Sequence, residues 1–171
     1  MRRSRAAALA ARSCLAAFGL VALGMAWLGP SLVGPSSLAR AEVATPAPGS
    51  AERKDIIDAV RVPMQLSTRG PVIFKVGEMN VERPWAFFRG DAIRPDGTAI
   101  RHEGTAFEDE AGFMDGWTIY AVLYHENGRW NLLDHHVAPT DVSWFDWLKR
   151  FGVPCRVAVP AATGCKDAVS R

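Results

Sequence analysis

The chain has 171 residues, with 20 Lys and Arg against 18 Asp and Glu for a formal net charge of +2, and three Cys. The positive sign is local: five of the Lys and Arg and none of the Asp and Glu fall in positions 1–41, leaving 20 − 5 = 15 against 18, a net of −3. Without a basic stripe or Lys/Arg cluster in that remainder, binding nucleic acid by phosphate neutralisation is excluded as a working reading.

Residues 1–41 read as a secretory signal. Arg2, Arg3, Arg5 and Arg12 precede the apolar run "CLAAFGLVALGMAWLG", and the small-x-small site Ala39-Arg40-Ala41 places cleavage after Ala41. The alternative is an uncleaved anchor, since Leu15 to Gly34 approaches the roughly 20 apolar residues that cross a bilayer. Pro30 and the Ala-x-Ala site favour cleavage. Processing leaves 171 − 41 = 130 residues, enough for one domain, in a periplasmic or secreted location. Cys14 departs with the signal, and Cys155 and Cys165 are expected to form a disulfide, which exported compartments preserve. The entropy model gives about 3 kcal/mol for so short a loop, spent mostly on pinning a tail at 155–171.

Residues 42–51 form a Pro/Ala/Ser-rich flexible linker, after which Ser50 caps a helix. "ERKDIIDAVRVPM" groups Ile56, Ile57, Val60 and Met64 on one side and Lys54, Asp55, Asp58 and Arg61 on the other, so one face is buried. Pro63 ends that helix, kinks it, or opens a second one. From Val72 the apolar period becomes two, and its parity flips past Gly77 toward Met79 and Val81, which predicts a bulge. "WAFFRGDAI" is a second strand closed by Asp96-Gly97. Thr98 to Gly116 has no period and reads as a long loop or irregular hairpin with solvated acids at Glu108, Asp109 and Glu110.

The sharpest local signal is "WTIYAVLYHENGRWNLLDHHV", two apolar runs around Asn127-Gly128, the pair preferred in a type I′ hairpin turn. That register sets residues whose numbers sum to 255 opposite one another: Tyr120 faces His135 and Ile119 faces His136. Ala138-Pro139 closes the strand and Thr140 or Asp141 caps a helix. Trp144, Trp147, Leu148 and Phe151 form its apolar stripe, with Gly152 and Pro154 stopping it. The tryptophans therefore read as a packing face.

Candidate chemistry is sparse. "HEGTA" at His102 and "HENGR" at His125 both lack the second histidine of a zinc helix motif, and no phosphate loop or serine nucleophile elbow is present. No metal and no cofactor is expected. Asp134 and His136, two apart on one strand, share a face about 7 Å apart at Cα. They are weak candidates for a general base and its orienting partner, with Tyr120 or Tyr124 nearby. His135 points to the opposite face.

From Glu52 to Pro154, on "RKDIIDAVR", "RPWAFFRGDAIRPDG" and above all "APTDVSWFDW", the chain resembles an uncharacterised family of small exported bacterial proteins. The resemblance implies a cystatin-like or NTF2-like helix-on-sheet fold and brings no established activity. The fold class expected is α+β: an N-terminal amphipathic helix on a curved four-stranded antiparallel meander over 52–154, closed by a short aromatic helix. The function expected is a non-catalytic accessory domain that recognises a small ligand, a peptide or an envelope protein, with Asp134, His136, Thr140 and Asp141 as ligand-binding candidates. A small enzyme using Asp134 and His136 is the alternative. A membrane-anchored interaction module, held through the uncleaved N-terminus, is the third.

Overall fold

Helix α1 (Ala51–Ser67) begins where the Ser50 hydroxyl accepts the Arg53 amide at 3.3 Å, the cap expected from its side-chain chemistry. In the computed structural model, which describes residues 42–141, 144–159 and 165, Ile56, Val60 and Met64 on one face of α1 are fully buried and Ile57 partly so. The signal and cleavage site expected in 1–41 lie outside the described residues, as does most of the tail. Pro63 neither ends α1 nor opens a second helix, which continues to Ser67 with Met64 anchored in the core. The flexible linker expected over 42–51 is tied to the fold. Ala44 and Val81 exchange two backbone hydrogen bonds of 2.8 Å, Pro46 is buried, and Ala51 already belongs to α1.

Four strands follow, β1 (Ile73–Glu82), β2 (Trp85–Ile93), β3 (Thr118–Glu126) and β4 (Arg129–Val137), in an antiparallel meander of order β1-β2-β3-β4. Asn127 and Gly128 take φ of 53° and 77°, as the type I′ turn between β3 and β4 demands. Thr98 to Gly116 forms the long loop expected, pinned by the Trp117 indole donating to the Ile100 carbonyl at 2.8 Å. The fold is α+β as the sequence predicts, with α1 on one face of the sheet and two short helices, α2 (Phe145–Arg150) and α3 (Cys155–Ala158), on the other.

Each edge strand carries a bulge. In β1 the pairing slips between Val76 and Glu78, leaving Gly77 as the extra residue, where the parity of the sequence flips. In β4 Leu123 pairs with Leu132 but Val122 pairs with Asp134, so Leu133 is extra and stands 40% exposed. The Leu133 bulge corrects the hairpin register beyond Leu132. Tyr120 pairs with His136, Ala121 with His135 and Ile119 with Val137, so sums of 255 become 256. Both bulges serve the same end: Phe74 and Val76, then Met79 and Val81, all reach the α1 side, as do Trp130 and Leu132, then Val137.

The sheet thus separates two cores. On the α1 side lie Ile56, Val60, Met64, Phe88, Ile119 and Leu123. On the other, Phe87 and Val122 are covered by Trp144 and Trp147 and by Val153, Val157, Ala158 and Val159. Val157 and Ala158 are fully buried, so the chain past Pro154 fills this second core, where the sequence suggested only a tail. Cys155 and Cys165 are joined, with Cα atoms 5.8 Å apart, as expected. Arg156 reaches from α3 to Glu82 at the end of β1, a buried carboxylate that it engages through both oxygens.

Candidate functional site

The face opposite α1 can be followed row by row across the sheet. Lys75, Asp91 and Thr118 form one row and Glu78, Arg89, Tyr120 and His136 the next. Asn80, Phe87, Val122 and Asp134 form the third. The third row lies under the short helices: Asn80 donates to the Val157 carbonyl at 3.4 Å, and Phe87 packs against Trp147. The first row is polar throughout, and the second is charged on β1 and β2 and aromatic on β3 and β4.

Asp134 and His136 share this face, as their spacing requires, but the bulge places them on the side of the sheet opposite Ile119 and Leu132, beside Tyr120 and Val122. His135 shares the α1 side with Ala121. The expected pairing of His136 with Ile119, and of His135 with Tyr120, is therefore reversed. One extra residue in a strand sends every later side chain to the other face.

Asp134 is occupied as a fastener. Its Oδ1 accepts the His135 amide at 2.9 Å, and its Oδ2 accepts Trp147 Nε1 at 3.1 Å and Arg150 Nη1 at 2.8 Å. Among the described residues no hydrogen bond joins it to His136, as an acid–base pair requires. His136 instead stacks on Trp147, ring centroids 5.1 Å apart and 21° from parallel. Trp144 stacks in the same way on Tyr120, at 5.2 Å and 16°, and Phe87 leans on both Tyr120 and Trp147. The expected apolar stripe of this helix is thus a wall of rings. Its start differs from expectation: α2 begins at Phe145 behind Trp144, which makes no side-chain capping bond, so neither Thr140 nor Asp141 is its cap. Its end is as predicted, with Gly152 at φ 71°.

Thr140 and Asp141 are exposed where β4 passes toward α2. There a depression of about 310 Å³ is lined by Asp115, Thr118, Tyr120, Ala138, Pro139 and Thr140. Its shape depends on Ala138, which turns the chain off the sheet at φ 46° while its amide stays bound to the Thr118 carbonyl at 2.7 Å. A non-glycine residue held in the left-handed region costs about 1 to 2 kcal/mol, which the surrounding contacts offset. The Thr118 hydroxyl donates to Asp91 at 2.6 Å. Sequence reasoning named Thr140 and Tyr120 but missed Asp115 and Thr118, which precede or begin β3 and come together with residue 140 only across the paired strands.

Burial holds the His135 imidazole below its ordinary 6.5, with the Asp134 carboxylate pulling the other way and His136 adding to the depression. Between the lowered folded value and 6.5 the unfolded chain binds more protons, so stability rises with pH in that window. Urea melts are expected to show the protein losing stability as pH falls from neutrality through 6.5, and His135→Gln losing less. Equal losses in both would remove His135 as the cause.

The sheet and its two helical covers define the protein as an α+β helix-on-sheet domain with a polar depression at a strand-to-helix junction. No protein-family model, curated protein or solved structure matches the chain.

Proposed function

We propose that this is an exported, non-catalytic binding domain that recognises a small polar ligand, or the end of a peptide, at the junction of β3, β4 and α2. The observation that carries the reading is the depression beside Tyr120. It is concave and lined by hydroxyl and carboxylate groups, and it is backed by a ring wall that Asp134 fastens to the sheet. Small-ligand sites combine such a fixed apolar body with a few convergent polar groups. Within this reading Thr140 touches the ligand, Asp134 and His136 hold the wall, and Asp141 flanks the mouth. Export is proposed from the N-terminal charge and apolar pattern, in line with the resemblance to small exported proteins.

The test is a screen of small polar compounds and short peptides by amide chemical shifts of the full chain. Binders are expected to move Thr118, Tyr120, Ala138 and Thr140, and Thr140→Trp, which fills the depression, is expected to abolish those shifts while leaving the melting temperature within about 2 °C, as for an exposed position. Shifts confined to another surface would sink the assignment. N-terminal sequencing of processed protein is expected to begin at Glu42.

A further inference from the structure

Asp115 brings an uncompensated negative charge to the depression. Among the described residues it makes no hydrogen bond and no ion pair, and no Lys or Arg shares the lining. The cations in the first two rows of this face, Lys75 and Arg89, stand on β1 and β2. The Arg89 guanidinium lies 3.2 Å from where a Cβ on Gly77 would sit, so it leans toward β1 and away from Tyr120 on β3. A second carboxylate backs the wall. The Thr118 hydroxyl donates to Asp91 at 2.6 Å, which leaves the Thr118 oxygen to face a ligand only as an acceptor. Pro139 has no amide hydrogen, and the Ala138 amide is spent on the Thr118 carbonyl at 2.7 Å. An anion therefore meets Asp115 with no cation in the lining to hold it.

Tyr120 favours positive charge by a separate route. Its ring is stacked on Trp144 at 5.2 Å and 16°, and Phe87 leans on it at 6.2 Å, so the ring is fixed before any ligand arrives. What these contacts leave uncovered lines the depression. An aromatic ring attracts a cation through the negative charge of its face and offers a neutral compound nothing equivalent. A neutral hydroxyl compound also competes poorly with water, which satisfies the same acceptors, whereas a cation adds the attraction of Asp115. The acceptors then select the kind of cation. Asp115, the Thr118 oxygen and the hydroxyls of Tyr120 and Thr140 can all accept, and a primary ammonium has three N–H groups to give where a quaternary one has none.

We propose that the depression takes a primary ammonium group, carried by a small amine or by the amino end of a peptide, which donates to Asp115 and the Thr118 oxygen beside the Tyr120 ring. This rests on the depression being the binding site and adds the class of ligand.

Four probes share one propyl chain and differ in the head group: propylammonium, propyltrimethylammonium, propanol and propionate, each titrated into the full chain and followed at the Thr118, Tyr120 and Thr140 amides. Propylammonium is expected to bind tightest, about tenfold more tightly than propanol, from roughly threefold each for an exposed carboxylate and an aromatic ring. Asp115→Asn, at an exposed position, is expected to weaken it about threefold, and Asp115→Lys to abolish it. Two peptide arms separate the sources. Trialanine amide with a free amino end is expected to bind and its N-acetyl form to lose binding if the ligand is a peptide end, whereas a small amine binding while both peptides are silent assigns the free amine. Propanol, propionate or propyltrimethylammonium binding as tightly as propylammonium, or propylammonium binding untouched by Asp115→Asn, would overturn the ammonium assignment while leaving the depression a site. Silence at those amides with every amine would also overturn it, and if other polar compounds were silent too the depression itself would fall as a site.

Discussion

Trp147→Ala is expected to cost about 3 to 5 kcal/mol, the range for truncating a fully buried aromatic whose cavity the neighbours cannot close. Trp147 is the centre of the second core: Phe87 lies at 6.4 Å, His136 stacks at 5.1 Å, and its indole donates to Asp134. Little can collapse into the space it leaves, because Phe87 is held on a central strand and His136 on a paired one. Two comparisons give the measurement its meaning. Asp134→Ala leaves the Trp147 N–H without its acceptor and is expected to cost about 1 to 3 kcal/mol. Asp146→Ala removes only an exposed contact with Arg150 at 3.2 Å and is expected to change stability by less than about 0.5 kcal/mol. Denaturant melts of the three variants check the order. If Asp146→Ala proved the most damaging, α2 would have to be rotated, with its rings turned outward.

Arg156→Ala is expected to be the other large loss, about 2 to 4 kcal/mol. Glu82 is a carboxylate with a side chain only 8% exposed, and Arg156 covers both its oxygens. Removing the cation leaves a buried charge whose hydration was surrendered on folding. The figure stays below the full penalty for a buried pair because the Arg156 side chain is 43% exposed, so water can approach once it is cut back. Replacing both partners together, as Glu82→Leu with Arg156→Met, is expected to recover most of the loss, since no unpaired charge remains. Urea melts of the single and double variants decide it. A double variant as unstable as Arg156→Ala would mean that packing of the Arg156 stem, and not its charge, holds α3 to the sheet.

Both effects arise in the second core, the part of the molecule least legible in the sequence. Local chemistry determined a great deal. The Ser50 cap, the Ile56, Val60 and Met64 stripe, the parity flip at Gly77, the β2 strand, the Asn127-Gly128 turn, the Gly152 stop and the Cys155–Cys165 bridge each depend on residues no more than ten positions apart, and each is present in the fold. Glycine marks the β1 bulge by interrupting an apolar alternation, which a reader of the chain can see.

Only the tertiary structure decided which residues meet. The β4 bulge falls on Leu133, inside "WNLLDHHV", where no glycine or proline marks it and two leucines in a row permit either register. What selects the shifted pairing is packing: the slip carries Val137 to the α1 core and His136 under Trp147, an exchange that local propensity does not contain. That single residue turned Asp134 from a candidate base into the fastener of α2. It also brought His136 beside Tyr120 and left the depression to Asp115, Thr118 and Thr140, residues unremarkable in order along the chain. A short helix such as α3 is likewise invisible in advance, because four residues cannot hold themselves helical and Cys155–Ala158 do so only against Phe87, Asn80 and Glu82.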